Sequence, residues 1–250
     1  MTDQIFYTEG AGNTFLLSFN PDCDFESLKA QGDKNGIYPD GYILAPLESE
    51  KVVSFNFYNK DKSLVDFCGN ALRAVGLCFK EVYSNDEVTL KTAVGPMRVK
   101  VLGANKVKAQ MPEAKVIETL DLDGKIVKHV LSGVPHLVFS VNEFSLDMDL
   151  KGSLLYFSEN IRKMNLSGKE TYNLTYYDDK TDQEVVSCVT FERGVEGFTE
   201  ACGSGALSVF KSLDEEKCDF KMPGGALHIK KDSEGCFMTG PAKILKRIEL

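Results

Sequence analysis

Long apolar runs are missing from this 250-residue chain. The longest fall far short of the roughly 20 residues that span a bilayer, which excludes a membrane-crossing helix. The opening MTDQIFYTEG has no basic stretch followed by an apolar one, so no secretory leader is expected and we place the chain in the cytoplasm. Positive charge is also short. Lys and Arg total 29 against 37 Asp and Glu, a net charge of −8. Nucleic acid and anionic membrane surfaces need a basic face, so neither is expected as a partner. The seven cysteines (23, 68, 78, 188, 202, 218 and 236) include no C-x-x-C pair, and their number is odd. A disulfide framework and a structural zinc site are therefore not expected, and no metal is assigned. No GxGxxG or P-loop pattern occurs, so no nucleotide is implied.

What is present fits a folded protein with a core of its own, at 43% hydrophobic and 26% charged residues. Short Val-, Tyr- and Phe-rich runs bounded by Gly, Asn or Asp read as strands: Asn13–Phe19, Gly41–Ala45, Val52–Tyr58, Val88–Thr92, Met97–Leu102, Leu137–Val141, Leu174–Tyr177, Val185–Phe191 and Ala226–Lys230. Two segments read as helices, near Cys68–Val82 and Cys202–Leu213, and a third near Glu159–Met164. In the first, Leu72, Val75, Leu77 and Phe79 stand among charged Arg73 and Lys80. The polar, non-periodic stretch Glu113–Gly124 reads as a crossover. His129 and His228, with no motif around them, are expected at the surface, and Gly224–Gly225 in a hairpin turn.

The chain also repeats itself. CGNALRAVG at Cys68 resembles CGSGALSVF at Cys202, and a strand–turn–strand pattern follows each, LKTAVGPMRVKV and FKMPGGALHIKK. Two equivalent halves follow: residues 1–115, joined by the final strand 241–250, carry Cys68, and residues 116–240 carry Cys202.

Each of the two main expected helices opens on Cys-Gly, at Cys68 and Cys202. At a helix N-terminus several N–H groups lack helical partners, and the dipole favours negative charge. A thiol there is expected to have a lowered pKa and to serve as a base, while the free amides can bind a carboxylate. One such cysteine reads more simply as a buried, inert residue. Two of them, in matching places of two halves, suit inversion of a carbon centre. One thiolate removes a proton from one face and the other thiol returns one to the opposite face.

FCGNALR (Phe67–Arg73) and ERGVEGFTEACGSGA (Glu192–Ala206) resemble the two signature motifs of the diaminopimelate epimerase family. GAGNTF (Gly10–Phe15), YNKDKSLVDF (Tyr58–Phe67), VPH (Val134–His136) and YNLTYY (Tyr172–Tyr177) support the resemblance in the family's order. The resemblance implies an α/β fold of two pseudo-symmetric halves, each a curled, mostly antiparallel sheet around a central helix, with the active site in the cleft between them. It implies inversion of an amino-acid α-carbon without pyridoxal phosphate or any other cofactor, with Cys68 and Cys202 as the acid–base pair. It assigns Asn13 and Asn59 to substrate contacts, and Gly69, Asn70, Gly203 and Ser204 to the α-carboxylate. Glu192 falls at the reacting end, Arg193 at the far carboxylate, and Asn173 at the far end. A small-molecule amino acid is the implied partner, and a homodimer follows by analogy.

Three positions depart from the family pattern. Val134 stands where the family has asparagine, ahead of Pro135 and His136; Gly41 follows Asp40 where glutamine is usual; and Ala71 replaces glycine in the first motif. Gly41, Val134 and His136 are thus the candidates for specificity. Loss of two polar groups tilts the expected substrate toward a single amino acid such as histidine, with diaminopimelate or lanthionine as the alternative. Two readings from other classes are a redox-switched protein with a Cys68–Cys202 disulfide and a silent binding module that keeps the fold. A hydroxyproline-type racemase would place His after Cys-Gly, where this chain has Asn70.

Overall fold

A computed structural model describes residues 4–148, 151–164, 172–178 and 185–249. In chain order the first elements are β1 (Gln4–Gly10), β2 (Asn13–Ser18), α1 (Phe25–Lys34), β3 (Gly41–Leu44), β4 (Leu47–Ser49), β5 (Val52–Ser54), β6 (Asn56–Asn59), β7 (Leu64–Val65), α2 (Gly69–Tyr83), β8 (Glu87–Thr92), β9 (Gly95–Gly103) and β10 (Lys106–Met111). They are followed by β11 (Lys115–Leu122), β12 (Lys125–Leu131), β13 (Pro135–Ser140), α3 (Lys151–Met164), β14 (Asn173–Asp178), β15 (Val185–Glu192), β16 (Gly197–Phe198), α4 (Gly203–Leu213), β17 (Lys217–Met222) and β18 (Gly225–Asp232). The chain closes with β19 (Gly235–Pro241) and β20 (Lys243–Glu249). It divides into two compact units, Met1–Pro112 with Gly235–Leu250, and Glu113–Glu234.

In the first unit β1 and β2 form a hairpin around Ala11 and Gly12, both at positive φ (49° and 87°), as a tight two-residue turn requires. Helix α1 carries the chain over to β3, which runs parallel to β2. One set of strands runs β20-β1-β2-β3-β6-β7 and a second β19-β10-β9-β8-β5-β4. Helix α2 packs against β1, β2, β20, β8, β9, β10 and β19. A helix surrounded in this way is enclosed on every side, and every residue from Gly69 to Phe79 is buried, Asn70 and Arg73 among them. The helix stops at Ser84, which takes a left-handed conformation (φ 54°) and donates its N–H to Lys80 O.

The second unit repeats the plan. Its strands run β11-β12-β13-β14-β15-β17-β18, with β16 on β15. Parallel pairs again flank the crossovers: β13 with β14 around α3, and β15 with β17 around α4. Gly203–Phe210 are buried throughout, and α4 also ends on a left-handed residue, Asp214 (φ 56°). The core is aromatic, with Phe139, Phe144, Tyr172, Tyr176 and Phe191 around Leu137, Leu154, Ile161 and Leu174.

The mixed α and β class with two similar halves is as the sequence implies; several local expectations are corrected. The chain passes from one unit to the other at Pro112–Glu113, where the expected crossover starts, but most of that stretch is strand: Lys115–Leu122 pairs with β12 at the sheet edge and is exposed along most of its length, Val116 and Ile117 included, which hides the alternation. Helix α3 begins at Lys151, a full two turns ahead of the expected start. The return to the first unit begins at Gly235 rather than Pro241, because β19 pairs with β10 before β20 pairs with β1. His129 is buried, not superficial. It lies on the inner face of β12, edge-on to Tyr172, with Nδ1 3.2 Å from Glu118 Oε1.

Candidate active site

In the first unit Cys68 is the N-cap of α2. Its backbone is extended (φ −147°, ψ 105°), and its half-buried side chain makes no capping bond. Gly69 and Asn70 form the buried first turn behind it. The β1–β2 turn closes on that helix end. A Cβ added to Gly10 would come within 2.4 Å of Asn70 O, so only glycine lets the turn that carries Asn13 approach. Asn59 ends β6, opposite Gly41, and its Nδ2 donates to Ser63 Oγ at 3.0 Å. Gly41 has no room for a side chain: a Cβ there would lie 2.2 Å from the Phe57 ring. The glutamine slot of the family pattern is therefore filled by an aromatic ring, itself edge-on to Phe15.

Sequence reading missed the role of Arg73, which stands among polar positions of a helical pattern. Its side chain is completely buried. Nη2 donates to Asn70 Oδ1 (2.6 Å), Nη1 to Gly69 O (3.2 Å) and Nε to Pro241 O (3.4 Å); Nη1 also lies 3.3 Å from Met238 Sδ. Burial pushes its pKa down to about 10, and the nearby Cys68 acts in the opposite sense.

In the second unit Cys202 is the N-cap of α4, again with extended backbone (φ −121°, ψ 106°). It is buried. Its Sγ accepts from Gly205 N–H at 3.4 Å and lies 3.4 Å from Ser204 Oγ. Burial first, and then the adjacent Glu192 carboxylate, hold its pKa well above the ordinary thiol value. The lowered pKa expected of a thiol at a helix N-terminus is thus reversed here: desolvation and a neighbouring carboxylate outweigh the dipole. Glu192 ends β15, where its Oε1 accepts from Thr199 Oγ1 at 2.6 Å, and burial raises its pKa too.

His136 is fully buried beneath α4. Nδ1 lies 2.8 Å from Thr175 Oγ1 and Nε2 3.0 Å from Ser204 Oγ. Burial, with Arg193 nearby, pushes its pKa down to about 3, so the ring is neutral at physiological pH. Thr175 Oγ1 in turn lies 3.1 Å from Thr190 Oγ1. A chain of hydroxyls and one imidazole therefore leads to Ser204 and Cys202. Thr175 and Thr190 also flank Gly205, where a Cβ would sit 2.3 Å from Thr190 Oγ1. Ser132 pins the same helix end, donating to Ser204 O at 2.9 Å and lying 2.7 Å from Ser208 Oγ. Strands β13 and β14 are buried in continuous runs, so no alternation singles out His136 or Thr175, and nothing in the sequence says that the face beneath α4 is polar.

At the far-end positions Asn173 is committed at both ends. Its Oδ1 accepts Arg193 N–H (3.0 Å), and its Nδ2 lies 3.4 Å from His136 Nε2. Val134 is half-buried in the turn before β13, where its carbonyl accepts Ser132 N–H (3.1 Å). Arg162, on α3, donates to Tyr172 O and lies over the Phe191 ring, with Nε 3.7 Å from Glu196 Oε2. Among the described residues, its buried Nε and Nη2 have no hydrogen-bond partner. The structure thus gathers Asn173, Glu192, Arg193, Gly203 and Ser204 with Cys202 and His136 in one unit, and Asn13, Gly69 and Asn70 with Cys68 in the other.

No family profile matches the chain. The fold is shared with solved epimerases and related proteins. A hydroxyproline epimerase from Agrobacterium vitis aligns with a TM-score of 0.70 at 13% identity, over 99% of this chain and 90% of its own. A phenazine biosynthesis protein from Bacillus anthracis aligns at 0.65 and 12%, over 99% and 98%. Two repeated units, each opening its buried helix on a cysteine, define a protein of this two-halved epimerase and racemase fold. Sequence relatives narrow it. The chain is 30% identical to a diaminopimelate epimerase of Thermotoga maritima, over 93% of this chain and 95% of that one. It is 28% identical to one of Pelagibacter ubique, over 100% and 99%. The chain belongs to the diaminopimelate epimerase family and is an isomerase.

Proposed function

We propose that the protein inverts an amino-acid α-carbon, without pyridoxal phosphate, by proton transfer involving the two thiols of Cys68 and Cys202. The carrying observation is their equivalence: each is the extended N-cap residue of the buried central helix in one of two topologically matching units. The first-turn amides behind each thiol have no helical carbonyl to bond. They are suited to hold the α-carboxylate and the carbanionic charge that develops on proton removal. One sulfur takes the α-proton as its electron pair forms the S–H bond. The electrons of the broken C–H bond pass into the α-carbon and carboxylate, and the other thiol protonates the opposite face.

For the substrate, the side chains at the far-end positions favour a single amino acid such as histidine. Phe57 fills the space beside Gly41, Val134 offers no polar group, and both ends of the Asn173 amide are engaged within the protein. A second reading, diaminopimelate or lanthionine, is favoured by Arg193 with the incompletely bonded Arg162 near it, two cations suited to a distant carboxylate, and by the names of the relatives. Proton NMR in heavy water separates them. Protein with reductant and no added pyridoxal phosphate is incubated with L-histidine, other L-amino acids, diaminopimelate or lanthionine, and loss of the α-proton signal is followed by chiral chromatography. Exchange on histidine with diaminopimelate untouched supports the first reading. Exchange on diaminopimelate alone replaces it with the second, and exchange on none sinks the proposed reaction.

A further inference from the structure

The two cysteines occupy equivalent backbone positions in opposite electrostatic surroundings. Arg73 lies one turn into α2, and its hydrogen bonds hold the carbonyl of Gly69 and the amide side chain of Asn70, the two residues that follow Cys68. All four of its described acceptors are neutral: two carbonyls, an amide oxygen and a thioether. Removing a guanidinium from water costs several kcal/mol unless an anion compensates. Among the described residues, the strands packed against this helix end bond the cation through Pro241 O and Met238 Sδ. Farther along the helix Cys78 has Glu81 and Arg247 in its field, and those two charges pair with each other near the surface. The titratable group whose charge reaches Arg73 is Cys68. Around Cys202 the arrangement is inverted: the charged neighbour is the Glu192 carboxylate, hydrogen-bonded to Thr199, and His136 beneath is neutral.

We propose that Arg73 is the buried counter-cation of the Cys68 thiolate, a positioning residue that makes Cys68 the resting base and leaves the resting proton on Cys202. The guanidinium does two jobs at once. It fixes the first turn of α2 through Gly69 and Asn70, and it supplies the positive charge that a thiolate at the N-cap needs. On the opposite unit the charge that acts on Cys202 is the Glu192 carboxylate, which opposes its ionisation. The resting protein is then a thiolate–thiol pair of defined order. The enantiomer whose α-proton faces Cys68 is deprotonated by the free enzyme directly. Its mirror image needs the proton moved from Cys202 to Cys68 first.

The inference rests on the two-thiol reading, but its test does not depend on turnover. Site-resolved alkylation by iodoacetamide is followed by mass spectrometry between about pH 5 and pH 10, in the wild type and in Arg73→Met and Arg73→Lys. The midpoint of each cysteine's rate against pH reports its ionisation, to which burial and neighbouring charge both contribute, whereas restricted access of the reagent lowers only the plateau. In the wild type the Cys68 midpoint is expected at least about one unit below that of Cys202. Arg73→Met is expected to raise the Cys68 midpoint by about one unit or more without moving that of Cys202, and Arg73→Lys to restore most of the difference. In turnover, the acid limb of kcat/KM is expected to move to higher pH in Arg73→Met by the same amount. A Cys68 midpoint at or above that of Cys202 in the wild type overturns the proposal. So does a folded Arg73→Met protein with an unmoved Cys68 midpoint. If Arg73→Met does not fold, the wild-type order and Arg73→Lys decide. Failure of the underlying reading is seen separately, as full turnover by Cys68→Ser.

Discussion

The two units reach the same end by different interiors. In each, a parallel crossover buries a helix on all sides over its first turns, and in each the N-cap residue is a cysteine. The first turn of α2 is held by one cation, Arg73, bonded to two residues of its own helix. The first turn of α4 is held by small neutral groups from neighbouring strands, Ser132, Thr175 and His136 through Ser204. The strand leading into each helix differs too. In the second unit β15 is unbroken, its early residues pairing with β17 and its later ones with β14. In the first the corresponding run is interrupted at Phe55, so that β5 pairs with β8 and β6 with β3. A repeated backbone thus tolerates opposite polarity at its two most reactive points. What is conserved between the halves is helix and cap; what differs is the sign of the charge placed beside each sulfur.

The largest expected effect breaks the equivalence outright. Serine at either cysteine is expected to lower inversion by roughly 10²- to 10⁴-fold, the usual scale for a lost acid or base. Exchange of the α-proton in heavy water from the one enantiomer that faces the remaining thiol should survive better than inversion. Equal loss of exchange from both enantiomers in both variants would contradict separate faces for the two sulfurs.

The next test concerns the neutral interior of the second unit. His136 stays uncharged in the folded state down to about pH 3, against an ordinary value of 6.5. Its folded pKa is depressed, so its contribution to stability is full above the unfolded value and is lost as pH falls toward the folded one. Between pH 7 and about pH 4.5 this costs the wild type about 2–3 kcal/mol. Urea unfolding at the two pH values should show that slope, and His136→Gln should lack most of it. Parallel pH dependence in both proteins would place the acid sensitivity elsewhere.

The smallest effect is at Ser132. Ser132→Ala removes the bonds to Ser204 O and Ser208 Oγ and should cost about 1 kcal/mol, read from chemical denaturation. Turnover should fall through kcat more than through KM, because the variant loosens the turn behind Cys202.

These tests also mark what was legible in the sequence. The repeat, both central helices and most inward-facing strands follow from periodicity and from the paired Cys-Gly motifs. Edge strands such as β11 do not, because one face is solvent and the other partly polar. Helix α1, with polar residues and Gly32 in its middle, gives a weak periodic signal. Motifs single out Glu192, Asn173 and both cysteines in the sequence, and the structure shows the surroundings of each. The site was illegible where burial sets the chemistry. Arg73 reads as a solvent-facing charge and is enclosed, and Cys202 reads as an acidified thiol and is the reverse. Propensity carries no information about which charges end up sharing a dry interior.

The Phe57 ring against Gly41 has a consequence for how this pocket can change over generations. A side chain at position 41 collides with the ring, so glutamine cannot be introduced there in one step without overpacking the sheet. A smaller residue at 57 would have to come first, and by itself it leaves a void beside Phe15. The two positions are therefore epistatic. Any series of substitutions that puts a side chain at position 41 passes through a less stable intermediate, and sterics fix the order of its steps.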